Sequence, residues 1–105
     1  MFGMKNKNSY KKITPQEAKA AMDSRKVIIL DVRTSQEFRS GSIKGAINLT
    51  LNDIVYGAGE VAENKDAEIL VYCLSGARSA RAAKALSKLG YTNVCDFGGL
   101  NNWPY

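Results

Sequence analysis

EILVYCLSGARSARAAKAL, residues 68–86, passes from a block of strand formers through one cysteine and a small-residue turn into an alanine-rich helical pattern. Apolar, β-branched and aromatic side chains in a short run favour a strand, whereas alanine with spaced lysine and arginine favours a helix. A strand that feeds directly into a helix is half of a βαβ unit, whose strands run parallel and lie between helices. The stretch therefore predicts an α/β fold and leaves Cys73 at the junction, either as a small buried side chain or as a nucleophile.

The flanking sequence repeats the alternation. Residues 10–13 are expected as a short first strand, followed by a helix to about Asp23 in TPQEAKAAMDS, where Thr14 is an N-cap, Pro15 suits the first helical position and Glu17 completes a capping box. VIILDV, residues 27–32, is a continuous apolar run of the kind buried on both faces of a parallel sheet. TSQEF has a second capping box in Thr34 and Glu37, for a short helix ended by Gly41. Residues 45–49 are expected as a strand, and LNDIVYGAGEVAENK as a helical region interrupted by Gly57 and Gly59. A helix over residues 79–89 should stop at Gly90, followed by a last strand in TNVCDF and a turn in GGLNNWPY. These elements predict one domain over residues 10–105, behind a flexible basic tail over residues 1–9.

The chain has 105 residues, 45% hydrophobic and 24% charged, enough to bury a core without disulfides or metals. It has two cysteines and no histidine. Cys-His and Ser-His-Asp chemistry are thereby excluded, and so are nearly all zinc sites, which need imidazole or more thiolates. No run is long enough to span a bilayer and the N-terminus lacks a secretory apolar segment, so a cytoplasmic protein without a membrane partner is expected. The net charge of +5 is concentrated partly in Lys5, Lys7, Lys11 and Lys12. Without a recognition helix or an RNA-binding aromatic motif, this predicts a basic face or affinity for small anions, and no nucleic-acid partner.

Ligands of open α/β sheets collect beyond the carboxyl ends of the strands, where Cys73 should stand. Gly76 permits positive φ, so backbone N–H groups of the turn can point inward as an anion-binding nest. The following helix adds about half an elementary charge at its N-terminus, and Arg78 a full one. Arg81 lies one turn on, facing either the same mouth or solvent. All of these favour a thiolate, and without histidine they are the evident means of activating Cys73. Cys95, inside an apolar strand with no glycine loop behind it, is expected to be structural.

From about Tyr10 to Trp103 the chain resembles the rhodanese-like domain. The resemblance rests on Asp31-Val32-Arg33 followed by Glu37-Phe38, on GSIKGAIN, on CLSGAR entering a helix, and on GGLNNW, in this order and spacing. It implies a three-layer domain with a mostly parallel five-stranded sheet and helices on both faces. It also implies a sulfurtransferase without cofactor or metal, whose cysteine takes a sulfane sulfur from a donor such as thiosulfate, holds it as a persulfide and passes it to cyanide, a thiol or a protein thiol. By position Cys73 is the nucleophile. Leu74, Ser75, Gly76, Ala77, Arg78 and Ser79 bind the transferred sulfur and its donor, with Arg78 on the donor's charge. Asp31 and Arg33 are supporting residues, Arg33 pairing with Glu37 one turn on. Gly45, Gly98 and Gly99 fill tight turns, Trp103 anchors the core, and a monomer is the default. Ser42 stands where many relatives carry histidine.

Two other readings compete. Related phosphatases and arsenate reductases hold a tetrahedral oxyanion with five residues between cysteine and arginine; here there are four, and Ser79 occupies the place where that arginine would fall. A non-catalytic binding module on the same fold would be expected to have lost the cysteine, which is present with its whole loop.

Overall fold

The computed structural model describes residues 9–105. Five strands, β1 (Lys11–Lys12), β2 (Ile28–Asp31), β3 (Ile47–Asn48), β4 (Ile69–Cys73) and β5 (Val94–Gly99), form one sheet in the order β1-β5-β4-β2-β3. Every adjacent pair is parallel, so all five carboxyl ends open on one rim. The helices are α1 (Pro15–Ser24), α2 (Ser35–Arg39), α3 (Ile54–Val61) and α4 (Ala77–Lys88), with single 3₁₀ turns at Leu51–Asp53 and Leu100–Asn102.

Both predicted capping boxes are formed. Thr14 Oγ1 accepts from the Glu17 N–H at 3.0 Å while Glu17 Oε1 accepts from the Thr14 N–H at 2.8 Å. Thr34 and Glu37 make the same exchange at 3.2 and 2.9 Å. Each box satisfies two backbone donors that the helix leaves unpaired, and an N-cap of this type contributes about 1 kcal/mol. The second box has a further effect: it sets α2 on the rim with the Glu37 carboxylate near Cys73's loop.

Alternation along the central strands divides the core. Leu30, Val32, Val71 and Cys73 face α3 and α4, together with Ala82, Ala83 and Leu86; Leu70 and Tyr72 face the α1 side with Ala18, Ala21 and Phe97. These are the expected three layers, α1 on one side and α3 with α4 on the other. Trp103 is half-buried against Phe97, ring centroids 5.3 Å apart, and so closes the α1 side.

Several boundaries differ from the sequence expectation. α3 runs through Gly57 and Gly59 without interruption; a Cβ at Gly57 would strike Leu49 Cδ1, so this glycine lets Leu49 pack against the helix. α4 starts at Ala77, two residues earlier than expected, because Gly76 at φ +107° turns the chain in one step. Gly99 is not a turn residue: its φ is −126°, and a Cβ there would overlap the Leu74 carbonyl. Most of the expected tail lies outside the described residues, while the carbonyl of Ser9 accepts from the buried Ser87 hydroxyl at 2.8 Å. Among the described residues no helix is long and apolar enough to cross a membrane.

Candidate active site

Cys73 ends β4 at the rim, where three residues, Leu74 to Gly76, carry the chain into α4. Their brevity is set by the neighbouring strand. Between β4 and β5 the register passes from Val71↔Asp96 to Cys73↔Gly99, a bulge that puts one extra residue on β5. Gly99 then lies directly against the Leu74 carbonyl, which accepts from the Asn101 N–H at 3.1 Å. Backbone thus confines the loop from one side, and the first turn of α4 confines it from the other.

Cys73 Sγ accepts a hydrogen bond from the Gly76 N–H at 3.0 Å. Burial in this pocket opposes ionisation and is the largest single influence on the thiol. Against it act the Ser79 hydroxyl and the N–H groups of Ser79, Gly76 and Ser75; together they outweigh burial and lower the pKa below the ordinary thiol value. Ser79 is the third residue of α4, so its N–H is one of those left unpaired by the helix. Its side chain is fully buried, with Oγ 3.0 Å from the Gly76 carbonyl and 3.3 Å from that of Gly98. Cys73 itself is only 1% exposed, whereas Leu74 beside it is 40% exposed. Burial, followed by the Glu68 carboxylate, pushes the Cys95 thiol up against the smaller opposing pull of Lys11 and Arg25, as suits a packing residue.

Arg78 does not stand free over the mouth. Nη1 and Nη2 bond the two carboxylate oxygens of Glu37 at 2.7 and 3.0 Å, a fork across 41 residues of sequence that ties α4 to α2. The Arg78 guanidinium, with the Thr34 N–H, holds the Glu37 carboxyl down at about 2. The expected Arg33–Glu37 pair is therefore replaced. Arg33 turns back to Asp31 instead, with Nε and Nη2 on the carboxylate at 2.7 to 3.1 Å and Nη2 on the Gly41 carbonyl at 2.6 Å. The Tyr72 hydroxyl donates to Asp31 at 2.6 Å and accepts from the Ile43 N–H at 3.1 Å. Asp31 and Arg33 lie on Tyr72's side of the sheet, opposite Cys73, and their network fastens the segment carrying Gly41 and Ile43. Arg33, Ser42, Lys44 and Trp103 border a cleft of about 820 Å³ on the α1 side that does not include Cys73. Arg81 faces solvent.

One supporting residue was not anticipated. Asp96 is 3% exposed and Oδ1 accepts from the Gly98 N–H at 2.9 Å, shaping the turn whose carbonyl meets Ser79 and whose next residue confines Leu74. An aspartate two residues before a glycine is an Asx-turn signal, so the position was open to sequence reasoning.

A conserved-domain model described as "Rhodanese-like domain" matches residues 14–104, which takes in the rim, the loop and Trp103. The chain belongs to the rhodanese-like domain family. It is 33% identical over 73 residues to the thiosulfate sulfurtransferase PspE of Escherichia coli, covering 70% of each chain. To the thiosulfate sulfurtransferase GlpE of Haemophilus influenzae it is 36% identical over 96 residues, 90% of this chain and 89% of that one. A solved structure titled rhodanese with anions, from E. coli, superposes with a TM-score of 0.70 at 31% identity, over 73% of this chain and 91% of the other. Family relatives at similar identity also include proteins whose function is not characterised.

Proposed function

We propose that the protein is a sulfurtransferase in which Cys73 carries a sulfane sulfur. The observation that carries this reading is a strand-end thiol that accepts from the Gly76 N–H at 3.0 Å at the N-terminus of α4, where the neighbouring Ser75 and Ser79 donors also favour its thiolate, in a chain without histidine. The Cys73 thiolate attacks the outer sulfur of an anionic donor such as thiosulfate. One S–S bond breaks as another forms, sulfite leaves with the bonding pair, and Cys73 holds a persulfide. In the second half, cyanide or a thiolate attacks the outer sulfur and restores the Cys73 thiolate, so the cycle needs no external oxidant or reductant.

The added sulfur stands about 2.05 Å beyond Sγ. Its charge is met by donors that are fixed before reaction, which is the economical form of electrostatic stabilisation. The same N–H cluster and the helix end favour a dianionic donor.

The test is incubation of the full chain with thiosulfate, intact-mass measurement, then addition of cyanide and detection of thiocyanate. Gain of one sulfur atom by the wild type, and loss of both signals in Cys73→Ser, is expected. An unmodified wild type, or equal turnover by Cys73→Ser, overturns the proposal. Cys73-dependent hydrolysis of an aryl phosphate would instead place the chain with the phosphatases.

A further inference from the structure

α4 leads away from the Cys73 loop with one side in water, and that side is uniform in charge. Ala77, Arg81, Lys84 and Lys88 are its exposed positions, and at 100° per residue they fall within a 60° sector of the helix. From Leu74 to Leu89 the chain contains no acidic residue. All ten aspartates and glutamates lie among the described residues, and Arg81, Lys84 and Lys88 form no ion pair with any of them. Glu60 on the adjacent α3 is exposed without reaching them, and Asp66 accepts from the Thr92 hydroxyl beyond the far end of α4. Lys65 caps that end, donating to the Leu89 carbonyl at 2.8 Å.

A ridge of cations without counter-charges costs self-repulsion, and α4 gains no helix-pair stabilisation from it. The ridge runs about 16 Å from Ala77 to Lys88 at the usual helical rise. At its upper end stands exposed Leu74, the residue next to Cys73.

We propose that this ridge docks the acidic surface of a sulfur-accepting protein and steers that protein's thiol to Cys73. The inference rests on the sulfurtransferase reading and assigns the class of its acceptor: a protein thiol flanked by carboxylates. Three unpaired charges and one apolar side chain make a small contact, of the kind used for brief encounters rather than stable complexes. Their contribution is to association rate and partner choice. A duplex nucleic acid is held through many phosphate contacts, and α4 offers three cations and an apolar tip.

The experiment uses full-length protein loaded with sulfur and three cysteine peptides of equal length, with glutamate, glutamine or lysine flanking the cysteine. Transfer to the acidic peptide should exceed transfer to the neutral one by about tenfold at low salt, and the advantage should shrink at high salt. Lys84→Gln/Lys88→Gln should lose most of that advantage with transfer to the neutral peptide unchanged. Lys84→Gln alone, away from the last turn of the helix, should lose part of it. Equal rates for acidic and neutral peptides, or an acidic advantage that survives in the double variant, overturns the proposal. So does a DNA duplex that binds through Lys84 and Lys88 while the peptides show no preference. If Cys73 takes up no sulfur, the sulfurtransferase reading fails instead. Binding of the same peptides then decides the surface: acidic preference lost in the double variant sustains it, and no preference overturns it.

Discussion

Replacing Glu37 by glutamine removes the charge that holds α2 to α4 while keeping an oxygen to accept from the Thr34 N–H and from Arg78. Glu37 is lowered from an ordinary 4.5 to about 2, equivalent to about 3 kcal/mol at 1.36 kcal/mol for each tenfold change in proton affinity. Its side chain is 30% exposed and that of Arg78 33%, so solvent screening and side-chain ordering cut this to about 1 to 2 kcal/mol. Because the folded value is depressed, the contribution is complete above about pH 4.5 and is lost as pH falls toward about 2. Less than half should remain at pH 3. Urea unfolding of wild type and Glu37→Gln at pH 7, 5 and 3 measures this directly, with roughly 1 M expected between midpoints at pH 7. The gap should be the same at pH 5 and at most half as large at pH 3. Arg78→Met should mimic the variant, and the double variant should lose little more than either alone. A gap that is constant from pH 7 to 3, or additive losses in the double variant, would refute the assignment of this pair.

Three further outcomes are expected. Gly99→Ala should cost about 3 kcal/mol or more in thermal unfolding, because its methyl meets the Leu74 carbonyl, while Gly59→Ala, with open space at its Cβ inside α3, should stabilise by about 0.5 kcal/mol. The pH profile of iodoacetamide alkylation should place Cys73 below an ordinary thiol and Cys95 above it, and Ser79→Ala should move only the Cys73 profile upward; coincident profiles would contradict the donor cluster. Tyr72→Phe should lose about 2 kcal/mol by depriving buried Asp31 of a donor, with sulfur uptake by Cys73 retained, since the network lies across the sheet from the thiol.

Elements with local signals were legible in the sequence to within a residue or two. Thr14 and Thr34 announce their helices through glutamates three residues on, and the apolar block before Cys73 needs only its own residues to be recognised as a strand. Cys73's place at the rim follows from that strand and the glycine behind it. What the sequence left hidden depends on residues far apart in the chain. Arg33 and Glu37 have ideal helical spacing, but Arg33 precedes the N-cap of α2, so the spacing does not bring them together. Glu37 is then free for Arg78, which only the fold brings near. Gly99 has an ordinary φ, and its requirement for glycine comes from Leu74, 25 positions earlier. The early start of α4 turns on one dihedral angle at Gly76, and a propensity sum over the helix does not contain it.

The contact between Gly99 and the Leu74 carbonyl bears on how such a loop could change its chemistry in evolution or by design. An additional residue after Cys73, of the sort that would open room for a larger oxyanion, has no space to bulge toward β5. It must either bulge outward, where Leu74 and Ser75 are exposed, or reset the bulge at Phe97 and Gly98 that leads into the 3₁₀ turn and Trp103. Loop length is therefore a property of two segments at once. A single insertion should lift the loop away from β5, and a loop that stays seated against Gly99 would need compensating changes in the last dozen residues.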